Sequence, residues 1–216
     1  MTDQSPDLTR FLACWPYTLA QEDVYPQDWT NPANFSDDPY DPGGATMDGI
    51  IQAEYNSYCS QHDLPQQIVR NITQAQGQDI YFNNFWLPHC PLVPVGLDLE
   101  LFDANVNEGT KEGIKILQVA LGIANDGIWG PQTDSAMKAI TNLANVIKLF
   151  TSRRMVVYRE TSGFSRFGAD WIRRATEIGD QALAMISTTQ PMGKVFAPTI
   201  INRVPRARWF IEGAAA

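Results

Sequence analysis

A chain of 216 residues is long enough to fill one domain or two small ones without disulfide staples, and 44% hydrophobic with 19% charged residues is a globular rather than a disordered composition. Sixteen Lys and Arg against twenty-four Asp and Glu leave a net charge of -8. The basic cluster Arg203, Arg206 and Arg208 is short, so no nucleic acid partner is expected.

No stretch reaches the roughly 18 uninterrupted apolar residues of a spanning helix, so no membrane insertion is expected. The first thirty residues carry Asp3, Asp7, Glu22 and Asp23 and lack a long apolar core, so synthesis in the cytoplasm without a signal peptide is expected. Cys14, Cys59 and Cys90 lie far apart, without the close pairing of a zinc site, and read as buried thiols or at most one bridge. His62 and His89 stand alone as surface or packing residues, so neither a metal site nor a cofactor is expected.

In chain order, Leu8, Phe11, Leu12, Trp15 and Leu19 recur at steps of three and four, which predicts an amphipathic helix over 8–25, kinked or divided at Pro16. Pro26 to Gly44 is rich in Pro, Asp, Asn and Gly and reads as a long irregular loop. Loops of that length are uncommon in compact domains unless they have a function. A helical pattern runs from Met47 to about Val69, and Asp79 to Trp86 is a further short helix or extended piece. Pro88, Pro91 and Pro94 mark a break near residue 90. Beyond it, Leu97 to Leu121 is a helix or helix pair punctuated at Asn105, Asn107 and Gly109. Asn125-Asp126-Gly127 is a tight turn, and Thr133 is placed to cap a following helix. Residues 134–160 and 169–187 read as long helices, and the tail from Ser187 with Pro191, Pro198 and Pro205 has no periodicity. Strand signals are sparse, so the expected fold is mostly α.

The arrangement with chemical content is Glu22 at the end of the first helix, followed by a polar loop holding Asp37, Asp38, Asp41 and Thr46. Glycosidic hydrolysis needs one carboxylic acid to protonate the leaving oxygen and a second carboxylate to activate water or stabilise the developing cation. A helix end shields one acid and a solvated loop keeps the other ionised. Acidic residues beside loops are more often simply solvated, so the wording of the loop matters.

Thr18-Leu19, Glu22 with Tyr25 three positions on, Asp38-Pro39, Asp41-Pro42-Gly43-Gly44-Ala45-Thr46 and Gly49-Ile50 resemble the signature of glycoside hydrolase family 108. There the wording is Glu-Gly-Gly-Tyr, a short spacer, then Asp-Pro-Gly-Gly-Ala-Thr and Gly-Ile. The resemblance implies a mostly helical, lysozyme-like catalytic part with a long active-site loop, packed against a second helical part. It implies Glu22, Asp41 and Thr46 as catalytic residues, with Tyr25, Asp38, Gly43 and Gly44 contacting substrate. Phe102 to Gly109, Leu117-Gln118, Leu121-Gly122 and Asp126 to Thr133, with Arg153, Arg154, Tyr158, Phe167 to Trp171 and Arg174, are similar to the predicted peptidoglycan-binding region that follows in that family.

The expected division is therefore a catalytic part at 8–90, a peptidoglycan-binding part at 95–187 and an irregular tail at 188–216. The implied activity is N-acetylmuramidase, cleaving bacterial peptidoglycan strands by general acid catalysis. It would be made in a phage host's cytoplasm and act on the cell wall, delivered through a separate holin or on a phage tail. Three departures stand out: Asp23-Val24 replace the two glycines, Pro26 to Phe35 is an insertion of ten, and Met47-Asp48 replace an Asn-containing pair. They motivate the alternative of a non-catalytic wall-binding or virion structural protein that retains the fold.

Overall fold

The computed structural model describes residues 5–22, 25, 28–37 and 44–187. The chain divides into two compact units, with the boundary between Leu87 and Pro88. As expected, the described residues are mostly helical, with one small sheet.

The first unit opens with helix α1 (Pro6–Glu22). Phe11, Cys14, Trp15, Thr18 and Leu19 form its buried face at helical spacing. Of the two outcomes expected at Pro16, a kink or a division, the helix is not divided. Proline in a helix interior costs about 3 kcal/mol. Burial of Cys14 and Trp15 before it and Thr18 and Leu19 after it, on one face, offsets that cost. Phe11 packs edge-on against Phe82 and Trp86, with ring centroids 5.2 and 5.8 Å away.

Strands β1 (Phe35–Ser36), β2 (Thr46–Met47) and β3 (Ile50–Ile51) form an antiparallel sheet in that order. Phe35 pairs with Met47 and Ser36 with Thr46; across the other edge Thr46 pairs with Ile51 and Met47 with Ile50. β2 and β3 are joined by Asp48 and Gly49, both at positive φ (50° and 73°), the two-residue turn that Asp-Gly favours. The helix expected from Met47 therefore starts only after this hairpin, as α2 (Gln52–Gln61). Helix α3 (Gln74–Ile80) begins at a capping box, in which Thr73 Oγ1 accepts from Gln76 N and Gln76 Oε1 accepts from Thr73 N. It runs on as a π-helical segment, Tyr81–Trp86, which turns Tyr81, Phe85 and Trp86 into the core. The segment expected as a short helix or extended piece is thus helical.

In the second unit, α4 (Leu97–Asn107) is buried from Leu97 to Val106, surrounded by α5 (Thr110–Ala120), α7 (Leu143–Arg159) and α8 (Phe164–Ser187). The pair expected over 97–121 is present as α4 and α5. The helix expected over 134–160 is two: α6 (Pro131–Lys138), then α7 opened by Asn142, whose Oδ1 accepts from Asn145 N at 3.0 Å. Thr133 does not cap α6; Gly130 occupies that position, and Thr133 is buried. The three cysteines are buried and form no disulfide. No helix among the described residues is long and apolar enough to cross a membrane. The tail expected at 188–216 lies outside the described residues.

Candidate functional site

Glu22 is the last residue of α1; the residue is half-buried, and its Oε1 is inaccessible to solvent. The β2–β3 turn comes up against it. A Cβ on Gly49 would stand 2.9 Å from Glu22 Cβ and Cγ and 2.5 Å from the Tyr81 hydroxyl. Glycine is therefore required at position 49 twice over, by its positive φ and by this close approach. Thr46 lies on β2, two residues before the turn. It is buried, and its hydroxyl donates to the Gly44 carbonyl at 3.2 Å. The hairpin thus brings the turn that follows Thr46 to the side chain of Glu22.

Of the other expected site residues, Tyr25 is exposed and Gly44 adopts φ +66° with open space around it. Asp38, Asp41 and Gly43 lie outside the described residues. Around Glu22 the structure adds three residues that sequence reasoning did not select. Asp48 is fully buried; its Oδ1 accepts from Asn34 Nδ2 at 2.8 Å. Tyr81, also fully buried, donates its hydroxyl to the Asp48 carbonyl at 3.0 Å. Asn34 brackets Tyr25, whose N–H donates to Asn34 Oδ1 at 2.9 Å while Asn34 Nδ2 reaches the Tyr25 carbonyl at 3.2 Å.

The segment that contains Asn34 is anchored in the core. Trp29 is buried; its indole N–H donates to the Ile72 carbonyl at 3.1 Å, and its ring lies 6.0 Å from that of Trp15. Phe35, in β1, has the Arg70 guanidinium over its ring. The described part of the expected irregular loop therefore carries a short 3-10 turn (Pro32–Asn34) and a strand.

In the second unit, Asp103, Glu108, Arg154, Tyr158 and Arg174 of the second motif come together with Glu100 as a buried polar cluster. Arg154, wholly buried, donates from Nε to Glu108 Oε1 (2.9 Å), from Nη2 to Asp103 Oδ2 (2.7 Å) and the Tyr158 hydroxyl (2.9 Å), and from Nη1 to Glu100 Oε2 (3.4 Å). Arg174 grips Asp103 bidentately at 2.9 Å on both oxygens. Tyr158 donates to Asn107 Oδ1 at 2.8 Å. Desolvation of Asp103 is outweighed by its two guanidiniums, which hold its carboxyl below the usual range. Burial pushes Glu108 upward and Glu100 up to about 7.

Three carboxylates face two guanidiniums here, so a proton on Glu100 makes the cluster neutral. The Thr151 hydroxyl sits in hydrogen-bond reach of both Glu100 Oε1 and the Ile147 carbonyl. Its single proton can serve only one acceptor. Protonated Glu100 donating to Thr151, which donates onward to Ile147, satisfies all three. Gly179 on α8 leaves room for this, since a Cβ there would collide with the Thr151 side chain.

A second buried amide orders the turn between α5 and α6. Gln118 donates to Asp126 Oδ1 (2.9 Å), the Ile128 carbonyl (3.0 Å) and Thr133 Oγ1 (3.3 Å), and accepts from Gly127 N (2.9 Å). Asp103, Glu108, Arg154, Tyr158, Arg174 and Gln118 are all buried. These parts of the second motif specify a fold and do not offer a binding surface. More exposed is Trp129, stacked on His89 with centroids 5.3 Å apart.

Residues 30–109 match the family model described as Glycosyl hydrolase 108. The match contains the hairpin and Thr46, begins eight positions after Glu22 and runs through α4. No curated protein matches the chain. Among solved structures, one titled Structure of Brucella abortus SagA is similar, at 25% identity and a TM-score of 0.70, covering 84% of this chain and 98% of that one. The resemblance read from the motifs is thus borne out as a match to the glycosyl hydrolase 108 model over residues 30–109, in a fold similar to that structure.

Proposed function

We propose that the protein is a peptidoglycan hydrolase, an N-acetylmuramidase in which Glu22 is the general acid. The observation that carries this is the placement of Glu22 at a helix end, beside the Asp48-Gly49 turn of a hairpin that lies within the matched family segment. In the proposed reaction Glu22 gives its proton to the glycosidic oxygen as the bond to the anomeric carbon breaks. The cation that develops is stabilised, or the attacking water placed, by Asp41 with help from Thr46. Tyr25, exposed three residues past Glu22, supplies an aromatic face for a sugar ring, and Asp38, Gly43 and Gly44 complete the substrate contacts.

The substrate is bacterial peptidoglycan, and the setting is cell-wall degradation by a phage, through a separate holin or from a tail assembly. Residues 95–187, within the second unit, are the proposed wall-binding part. Asp23-Val24 in place of two glycines favours a second reading, a wall-binding or virion protein that keeps the fold without turnover. Incubating purified protein with peptidoglycan separates the two. New reducing sugar ends support the muramidase; binding without them supports the structural protein, and new free amino groups would point to amide cleavage instead.

A further inference from the structure

What confines the Glu22 side chain comes from three separate stretches of the first unit. The Gly49 backbone lies against its stem, at a distance that leaves no room for a Cβ. The turn carrying Gly49 is itself fixed from two directions: Tyr81 donates to the Asp48 carbonyl, and Asn34 donates to the Asp48 carboxylate. Asn34 also holds both the N–H and the carbonyl of Tyr25, three residues beyond the acid. A hairpin turn by itself does not call for a buried carboxylate, which is costly to desolvate. Asp48 is nonetheless fully buried, at positive φ, on the strand connection that touches Glu22. Asn34 stands between the acid and the hairpin in sequence, so one side chain ties Tyr25 to the turn that touches Glu22.

We propose that Asn34, Asp48 and Tyr81 are positioning residues that hold the Glu22 carboxyl in the orientation needed for proton transfer, acting through the Tyr25 backbone and the Gly49 turn. This rests on Glu22 being the proton donor proposed above. Displacing a catalytic group by about 1 Å costs on the order of 100-fold in rate. The clamp therefore governs turnover more than substrate affinity.

The test uses the full-length protein and soluble peptidoglycan fragments, with kcat and KM read from reducing ends and Tm measured in parallel. Asp48→Ala is expected to lower kcat by about 10- to 100-fold with KM changed less than about threefold, and Asn34→Ala to lower kcat as far while also raising KM, because it releases Tyr25. Asp48→Asn keeps an acceptor for Asn34 and should recover most of the loss. Tyr81→Phe removes one hydrogen bond and serves as the milder variant where an alanine variant does not fold. A second measurement does not need turnover: the carboxyl carbon resonance of Glu22, assigned by its loss in Glu22→Gln, is expected to be single in the native protein and broadened or split in the variants. An unchanged Glu22 resonance in a folded Asn34→Ala or Tyr81→Phe protein overturns the clamp, as does a native kcat in those proteins. A Glu22→Gln protein with full activity would instead sink the assignment of the acid, and the resonance would still judge the clamp.

Discussion

Glu100 gives a pH dependence whose sign can be worked out from the cluster around it. Its carboxyl is wholly buried on α4, faces Arg154 and Thr151, and titrates at about 7 rather than at its ordinary 4.5. A folded-state value above the unfolded one means the native protein holds a proton that the unfolded chain has released. The stabilisation is complete below about pH 4.5 and is lost as pH rises through about 7. The rise from 4.5 to about 7, at 1.36 kcal/mol per pH unit, sets an upper bound of about 3 kcal/mol between pH 5 and pH 8. Glu108, also raised, adds a slope of the same sign. Asp103, held below its ordinary value, contributes in the opposite sense, losing its contribution only as pH falls below the usual carboxylate range. Glu100→Gln keeps the shape of the protonated acid, with an amide that can donate to Thr151 and an oxygen that can accept from Arg154. The variant should match the native protein at pH 5 and exceed it by up to about 3 kcal/mol at pH 8. Amide hydrogen exchange across α4, from pH 5 to 8, reads the second unit alone. Parallel profiles for the two proteins would show that Glu100 holds no proton and that the excess charge is balanced elsewhere.

Glu22→Gln preserves size but removes the transferable proton, so release of reducing ends should fall by about 100-fold or more with Tm unchanged. A loss of Tm with activity intact would make Glu22 a structural residue. Asp41→Asn should lower the same activity without affecting peptidoglycan binding in a pull-down. Because Trp29 is a core residue, Trp29→Ala should cost about 3–5 kcal/mol in denaturant unfolding, so its segment braces the first unit. A near-native unfolding midpoint would mean that the segment is dispensable for the fold. Gln118→Ala strands Gly127 N and Thr133 and should destabilise the second unit by about 1–3 kcal/mol, visible as faster exchange at α5 and α6.

The helices were legible because their signal is periodic. Phe11, Cys14, Trp15, Thr18 and Leu19 line one face whatever surrounds them, and Gly109 separates α4 from α5 by local conformation alone. The hairpin carried a local signal too, since Asp48-Gly49 between apolar pairs is a preferred two-residue turn. The longer helical pattern from Met47 overrode it. At Pro16 local signals could not choose between a kink and a division, because the helix-breaking cost is local while the burial that offsets it is tertiary.

At the site, the order of Glu22, Asp41, Gly44 and Thr46 could be read along the chain because a family motif is a linear object. The roles of Asn34, Asp48 and Tyr81 could not: an Asn in a polar loop, an Asp in a turn and a Tyr on a helix each have an ordinary solvated or packing explanation. Only the fold brings their atoms within hydrogen-bond distance, across separations of 14 and 33 residues. The same holds in the second unit, where Glu100 and Thr151 stood outside the motif altogether. Composition and periodicity determined that this chain would be mostly helical and that a carboxylate would end its first helix. Burial decided which polar residues matter beyond that, because a hydrogen bond or a charge acquires its full energetic weight only once water has been removed from around it.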